Sequence, residues 1–161
     1  MKYLLCLLCV AFLSGGCLKK DTGCNYSQSN IVAPVSEQQQ VEQYLAANGI
    51  TATKHSSGLY YQVINMGSGG SPDLCSQVSL SYSGKLTDGT QFDASSGVVF
   101  QLGSLIEGWK KGVPLIQKGG TIKLYVPPSL GYGPQPFRDQ QGNIVIPGNS
   151  VLIFDVTIID F

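Results

Sequence analysis

The chain is short of charge and has no excess of either sign. Charged residues make up 12% of its 161 residues, and ten basic side chains balance ten acidic ones. Lysines occur in adjacent pairs, such as Lys110 and Lys111, but nowhere in a longer basic cluster. Because nucleic-acid binding depends on a basic surface, this composition argues against nucleic acid as a partner.

Histidine is nearly absent, since His55 in the polar stretch TKHSSG is the only one. A Ser-His-Asp hydrolase would have to recruit this residue, and the sequence has no G-x-S-x-G nucleophile turn. No cluster has zinc-ligand spacing, and DGTQFD offers too few acidic oxygens for a calcium loop. The sequence therefore disfavours hydrolase chemistry and predicts no metal site and no cofactor.

The longest apolar run, residues 3–13, is too short to span a bilayer. It follows the positive charge of Lys2 and precedes three small residues and Cys17. This pattern is typical of a signal peptide, and small residues directly before a cysteine resemble the lipobox of bacterial lipoproteins. Ser14 departs from that pattern, which usually has an aliphatic residue there. We expect a signal peptide at residues 1–16 and lipidation of Cys17; a secreted protein cleaved nearby is the alternative.

These features predict an exported bacterial membrane lipoprotein, on the periplasmic or outer-membrane face, held to the membrane by its lipid. Cys6 and Cys9 form a C-x-x-C, but they lie in the run that would be removed. Cys24 and Cys75 remain, and in an exported protein they could pair and close a loop contributing about 4 kcal/mol on the chain-entropy model. Two free thiols are the alternative.

Composition divides the rest of the chain into a lipidated tether, residues 17–54, and a globular domain, residues 55–161. The tether is polar and aperiodic up to Ser36. The stretch SEQQQVEQYLAANG then predicts a short amphipathic helix with Ser36 as its N-cap. This helix either packs on the domain or spaces it from the membrane. Its apolar face would consist of Val41, Tyr44 and Leu45.

Alternating apolar and polar residues predict antiparallel strands in the domain. The segments VSLSYSGKL, VVFQLG, TIKLYV and NSVLIFDVTIIDF have this period, and TDGT supplies a turn before a further strand that carries Phe92. The apolar positions that share a face within each strand are Leu80 and Tyr82, then Phe100 and Leu102, then Ile122, Leu124 and Val126, and finally Leu152, Phe154, Val156 and Ile158.

One short helix is predicted between the strands. Ile106, Trp109 and Val113 have helical spacing, and Pro114 disfavours helical geometry at Val113. The helix should therefore have about two turns and end near Val113. Several antiparallel strands with one short helix predict an α+β fold, with the helix on one face of the sheet and Trp109 directed into its concave side.

Four blocks of the domain resemble, in order, the motifs of FKBP-type peptidyl-prolyl cis-trans isomerases. They are VSLSYSGKLTDGTQFDASSG, FQLGSLIEGWKKGVPLIQKGG, LYVPPSLGYG and IPGNSVLIFDVTIIDF. The match covers residues 75–161, and residues 55–70 resemble the family's leading strand. The resemblance implies a five- or six-stranded antiparallel β-sheet wrapped around one short α-helix, an isomerase domain at residues 55–161, and no covalent intermediate.

The resemblance also implies a pocket for the substrate proline. Trp109 would form its floor, the Ile106 backbone N–H would hold a substrate carbonyl, and Tyr132 would offer its hydroxyl to the peptide. Asp93 would accept a hydrogen bond from Tyr82, although it also suits a turn in FDASSG. Catalysis would then fall to Asp93, Tyr132, Ile106 and Trp109, and substrate binding to Tyr82, Phe92, Val98, Leu105, Ile146 and Phe154.

Two departures from the family pattern affect this pocket. Val98 stands where many members have an aromatic residue, which would lower one wall. The loop after Tyr132 is longer than in the minimal domain, and its Phe137 either restores an aromatic wall or only anchors the loop. The implied partners are proline-containing polypeptides and macrolide inhibitors of the FK506 type, and the implied state is a monomer.

The leading hypothesis is therefore a prolyl isomerase that assists the folding of exported proteins. Rotation about an X–Pro bond faces a barrier of about 18–20 kcal/mol, and an apolar pocket that strips water from the imide would lower it without a nucleophile. The alternative is a non-catalytic chaperone or peptide-binding module that uses the same groove. A purely structural lipoprotein is a third hypothesis.

Overall fold

The computed structural model describes residues 23–161 and is built on one six-stranded antiparallel sheet. Its elements are α1 (Val35–Ala47), β1 (Thr53–Lys54), β2 (Tyr60–Asn65), β3 (Gln77–Leu86), β4 (Gln91–Gln101), α2 (Glu107–Gly112), β5 (Thr121–Val126), β6 (Phe137–Arg138), β7 (Ile144–Ile146) and β8 (Leu152–Asp160). The sheet order is β1, β2, β5, β8, β3, β4, and β6 and β7 form a separate hairpin. The predicted α+β architecture is confirmed.

One face of the sheet buries the main hydrophobic core against α2. Ile122, Leu124 and Val126 of β5 are fully buried there. Helix α2 lies so close to β5 that a Cβ atom added at Gly108 would come within 2.6 Å of a Val126 methyl, and one at Gly112 within 2.6 Å of a Leu124 methyl. Two glycines thus allow the close packing that brings the helix onto the concave side of the sheet.

Helix α2 has the short length that the sequence predicts. Ile106 precedes it with extended backbone angles, φ −60° and ψ 153°. After Gly112 the chain tightens into a 3-10 turn, Val113–Leu115, in which Pro114 contributes no N–H. The 3-10 turn and Pro114 therefore end α2 at Gly112.

Helix α1 covers the opposite face of the sheet. Val41 and Leu45 pack on Tyr125 and Ile153, and the rings of Tyr44 and Tyr125 are 6.2 Å apart. As a result Tyr125 is buried although it lies on the side of β5 away from the main core. The helix therefore packs on the domain.

The predicted N-cap of α1 at Ser36 is wrong. The helix begins one residue earlier, at Val35, and no side chain caps it. The Pro34 carbonyl instead accepts hydrogen bonds from the Glu37 and Gln38 amides at 3.0 and 3.1 Å. The proline carbonyl provides the first helical acceptor, and this leaves Ser36 inside the first turn.

Strand β4 is a single long strand, whereas the sequence pattern suggested two. Its pairing with β3 skips Gly97, which lies between the paired residues Ser96 and Val98 and has a φ of 85°. A bulge of this kind inserts one extra residue and interrupts the two-residue alternation of the strand. Leu102, predicted to share the strand with Phe100, lies instead in a 3-10 turn.

Residues 23–34 form no helix or strand, and they lie against the domain. Cys24 and Cys75 form a disulfide, with their Cα atoms 5.7 Å apart and a sequence separation of 51. The buried Lys111 side chain donates from Nζ to the Ser29 carbonyl at 2.8 Å. This segment therefore runs across the back of α2.

The predicted signal peptide at residues 1–16 and the predicted lipid site at Cys17 lie outside the described residues. Between residues 23 and 161, no helix is long and apolar enough to cross a membrane. The same residues contain no group of three or more His, Cys, Asp or Glu side chains placed to hold a metal ion.

Candidate functional site

A cavity of about 210 Å³ opens between α2 and the concave face of the sheet. Side chains from β3, β4 and β8 form its walls, α2 and the turn before it form its base, and the loop after β5 contributes one residue. The cavity is lined by Tyr82, Asp93, Phe100, Leu105, Ile106, Trp109, Tyr132 and Phe154.

Trp109 is the largest side chain at the base of the cavity and is only 4% exposed. The rings of Tyr82 and Phe154 stand nearly perpendicular to it, with centroids 5.0 and 5.2 Å away, and Phe100 does so at 6.3 Å. Edge-to-face packing of this kind is the favoured arrangement for aromatic pairs. The Trp109 ring therefore has a fixed orientation.

The backbone of Ile106 presents both a hydrogen-bond acceptor and a hydrogen-bond donor at the start of α2. The Ile106 carbonyl accepts hydrogen bonds from the Trp109 and Lys110 amides at 3.0 and 3.1 Å. The Ile106 N–H itself donates to no acceptor among residues 23–161. Because Ile106 lines the cavity, this N–H is a candidate donor to a bound carbonyl.

Tyr82 and Asp93 are joined across neighbouring strands. The Tyr82 hydroxyl donates to Oδ2 of Asp93 over 2.6 Å. Burial raises the pKa of Tyr82 well above its usual value, and the hydrogen bond to Asp93 and its negative charge raise it further. Tyr82 therefore stays protonated and acts as a hydrogen-bond donor throughout the physiological pH range.

Tyr132 closes the cavity from the loop that follows β5. It comes two residues after a 3-10 turn, Pro128–Leu130, and its side chain is 41% exposed. Burial of its phenol and the nearby Asp93 charge raise the pKa of Tyr132. The ring is 5.1 Å from that of Phe137 on β6. Phe137 does not line the cavity, but it contacts Tyr132, which does.

Three residues expected in the pocket do not line the cavity. Phe92 packs perpendicular to Phe154 at 5.6 Å, so it supports the wall residue from another side. Ile146 is 2% exposed and belongs to the main core. Val98 of β4 pairs with Leu80 of β3 and does not line the cavity.

Phe100 lines the cavity, although the family resemblance implied no pocket role for it. Asp93 and Phe100 are seven residues apart, and strict alternation would direct them to opposite faces of the strand. The bulge at Gly97 inserts the extra residue that lets both line the cavity. The sequence signal for this contact was a glycine three residues before the aromatic residue of VVFQLG.

A larger cavity of about 620 Å³ lies on the other side of α2, beside residues 28–32. Its charged side chain, Lys111, is occupied by hydrogen bonds to Ser29. His55 is half-buried there, and its Nδ1 lies 2.9 Å from the Ser57 hydroxyl. Burial and the Lys111 charge lower the pKa of His55. This cavity lacks the aromatic walls of the smaller one.

Comparison with known proteins assigns residues 56–159 to the model of the family described as FKBP-type peptidyl-prolyl cis-trans isomerase. The FkpA isomerase of Aeromonas hydrophila is 41% identical over 133 residues, which are 78% of this chain and 47% of that protein. The FkpA isomerase of Escherichia coli K12 is 39% identical over 123 residues, covering 74% of this chain and 43% of that protein. The chain thus spans less than half the length of these relatives.

Solved structures show the same architecture. The crystal structure of FkpA from Escherichia coli superposes with a TM-score of 0.66 at 36% identity, covering 78% of this chain and 59% of that one. The crystal structure of AtFKBP13 superposes with a TM-score of 0.63 at 30% identity, covering 68% of this chain and 98% of that one.

Proposed function

This chain belongs to the FKBP-type peptidyl-prolyl cis-trans isomerase family, and from this premise we propose that it accelerates rotation about X–Pro bonds in other polypeptides. The observation that carries the proposal is the cavity itself. Three aromatic rings stand edge-on around Trp109, and two hydrogen-bond donors, the Ile106 N–H and the Tyr132 hydroxyl, lie at its margin. This arrangement suits a proline ring on an apolar floor with its flanking carbonyls at the rim.

The proposed mechanism needs only binding and desolvation. The planar imide is stabilised by charge-separated resonance, and water favours that polar form. An apolar site that excludes water raises the planar state relative to the less polar twisted state. Each 1.36 kcal/mol of differential stabilisation is worth about tenfold in rate. The uncatalysed exchange takes tens to hundreds of seconds. Differential stabilisation by a few multiples of about 1.36 kcal/mol is therefore enough for a useful acceleration.

Each lining residue has a distinct role in this proposal. Trp109 and Phe154 contact the proline ring, with Phe100 completing the apolar wall. Tyr132 donates to the peptide on the solvent side, and the Ile106 N–H holds a substrate carbonyl. Asp93 acts through Tyr82, from whose hydroxyl it accepts a hydrogen bond. Leu105 extends the apolar surface beside Ile106.

The proposal is tested by exchange NMR on a Leu-Pro tetrapeptide. At catalytic amounts of protein, cis and trans resonances of the peptide should show exchange that is absent without protein. Competition by a macrolide of the FK506 type should remove it, because the ligand would fill the same cavity. Saturable binding without added exchange would instead indicate a non-catalytic peptide-holding module. A purely structural lipoprotein would need no aromatic cavity.

We also propose that the protein works outside the cytoplasm as a lipoprotein anchored through Cys17, acting on exported polypeptides as a monomer. The support is the N-terminal sequence pattern and the Cys24–Cys75 disulfide, since structural disulfides belong to oxidising compartments. Mass spectrometry of the mature protein should find a lipid on Cys17. An unmodified N-terminus elsewhere would contradict the anchor.

The disulfide would shorten the connection between such an anchor and the domain. Cys24 is seven residues after Cys17 and is bonded to Cys75 within the domain. Seven extended residues span at most about 25 Å. A lipid on Cys17 would therefore hold the isomerase domain, residues 55–161, close to the membrane surface, with the remaining part of residues 17–54 packed along the domain.

A further inference from the structure

Tyr132 is the least constrained side chain of the cavity. Its hydroxyl has no hydrogen-bond partner among residues 23–161, and 41% of the residue is exposed. Tyr82, by contrast, is fixed by Asp93 and by two aromatic neighbours. Exposed side chains change rotamer within picoseconds to nanoseconds. If the Tyr132 hydroxyl is to donate to a peptide at one fixed position, another contact must therefore restrain the Tyr132 side chain.

Phe137 is the side chain placed to supply that restraint. Its ring centroid lies 5.1 Å from that of Tyr132, at an angle of 47°. This separation is within the range of favourable aromatic pairs. Phe137 does not itself line the cavity. Its contact with the site is thus made through Tyr132.

The β6–β7 hairpin holds the backbone at Phe137, whose side chain is itself 47% exposed. Phe137 pairs with Ile146, which is 2% exposed and anchored in the main core. Arg138 donates to the Gly142 carbonyl at 2.8 Å, and the Asp139 carboxylate accepts the amides of the turn. The hairpin is therefore held at both its base and its tip.

The backbone of the Tyr132 loop is fixed independently. The Gly133 amide donates to the Pro128 carbonyl at 2.9 Å, and the Gly133 carbonyl accepts from the Asn149 amide at 3.0 Å. With both backbones held, the remaining freedom of Tyr132 is rotation of its side chain. The Phe137 ring blocks one part of that rotation.

We infer that Phe137 is a positioning residue that holds the Tyr132 hydroxyl over the cavity, so that the extended loop of this chain supports its catalytic donor. The inference rests on the proposed isomerase function. Preorganised donors act because they do not have to reorient during the reaction. Loss of Phe137 should therefore weaken the contribution of Tyr132 and leave the apolar floor unchanged.

A double-mutant cycle on the full chain tests the inference with the Leu-Pro tetrapeptide. Phe137→Ala should lower kcat/KM about fivefold in the wild-type background and less than twofold in the Tyr132→Phe background. Phe137→Trp should restore most of the activity, because it returns an aromatic ring. Ile144→Ala, an exposed change on the same hairpin, serves as the matched control.

The outcomes separate this inference from the proposed function. An inactive wild-type protein overturns both. An active wild type in which Phe137→Ala has no effect, or the same effect in both backgrounds, overturns the positioning role alone. If Phe137→Ala fails to fold, as judged by circular dichroism, Phe137→Leu takes its place in the cycle.

A spectroscopic measurement adds a readout that does not depend on activity. Titration of ¹³Cζ-labelled tyrosine by NMR should show a lower pKa for Tyr132 in Phe137→Ala than in the wild type, because removal of the ring hydrates the phenol. An unchanged Tyr132 pKa would contradict the contact in solution.

Discussion

The Tyr82 hydroxyl donates to the Asp93 carboxylate over 2.6 Å, and the Tyr82 ring packs edge-on against Trp109 at 5.0 Å. One tyrosine therefore links the charged rim of the cavity to its apolar floor. The carboxylate is an exposed acceptor on β4, and its effect on the site passes through the tyrosine.

Replacing Asp93 with Val should lower kcat/KM about tenfold, since the Tyr82 ring loses the hydrogen bond that orients it. Tyr82→Phe should have a smaller effect, because the ring remains packed on Trp109. In the Tyr82→Phe background, Asp93→Val should then change little. Asp155→Asn removes a carboxylate that pairs with Lys123 and serves as the control. Fully additive effects would show that Asp93 acts independently of Tyr82.

Alkaline pH should destabilise the protein. Burial raises the pKa of Tyr125 to about 12, and burial also raises the pKa of Tyr82 and of Tyr132. In the unfolded chain these phenols titrate near pH 10, so above about pH 10 the unfolded state binds fewer protons than the folded state. The free energy of unfolding should then fall by up to about 1.4 kcal/mol per pH unit for the buried Tyr125, and by less for Tyr132, whose 41% exposure screens its charge.

Urea unfolding between pH 8 and pH 11.5 measures this dependence. Tyr125→Phe should remove its share of the slope above about pH 10 and leave the profile below about pH 9 parallel to that of the wild type. Equal slopes for the two proteins would contradict the burial of the Tyr125 hydroxyl.

Breaking the Cys24–Cys75 disulfide should lower stability. The chain-entropy model assigns about 4 kcal/mol to a bridge that spans 51 residues. Guanidinium unfolding with and without reductant should show a loss of this order, and the double variant Cys24→Ser, Cys75→Ser should match the reduced protein. Reductant should not affect that variant. Identical midpoints for oxidised and reduced wild type would contradict a structural bridge.

Gly112→Ala should destabilise the protein, although helix propensity alone predicts a gain of about 0.5–1 kcal/mol. The added Cβ would lie 2.6 Å from a Leu124 methyl, so α2 or β5 would have to move. Overpacking of this kind typically lowers the free energy of unfolding by about 1–3 kcal/mol. Gly70→Ala, whose Cβ would meet only the Phe161 ring at 3.9 Å, is the control. A Gly112→Ala variant that is more stable than the wild type would show that α2 packs on β5 less closely than this distance indicates.

Local patterns in the sequence were enough to predict most of the sheet. The alternation in TIKLYV and in NSVLIFDVTIIDF corresponds to β5 and β8, and Pro114 gives the end of α2. These features depend on neighbours within a few residues. The structure retains these patterns because β5 and β8 each bury one face in the main core against α2.

Features that depend on pairing between distant segments were not predictable in this way. The bulge at Gly97 is a property of the β3–β4 register, and it brings Phe100 to the same face of the strand as Asp93. The burial of Tyr125 depends on where α1 docks. The position of residues 23–34 depends on a disulfide partner 51 residues away.

The isomerase proposal is tested most directly by a protease-coupled assay with a Phe-Pro tetrapeptide on the wild type and on Trp109→Leu. The wild type should accelerate cis-to-trans exchange, and Trp109→Leu should lower kcat/KM about a hundredfold, since the apolar floor of the cavity is lost. Circular dichroism must show that the variant is folded. No acceleration by the wild type, or a folded Trp109→Leu variant with undiminished activity, would contradict the assignment of this cavity as the catalytic site.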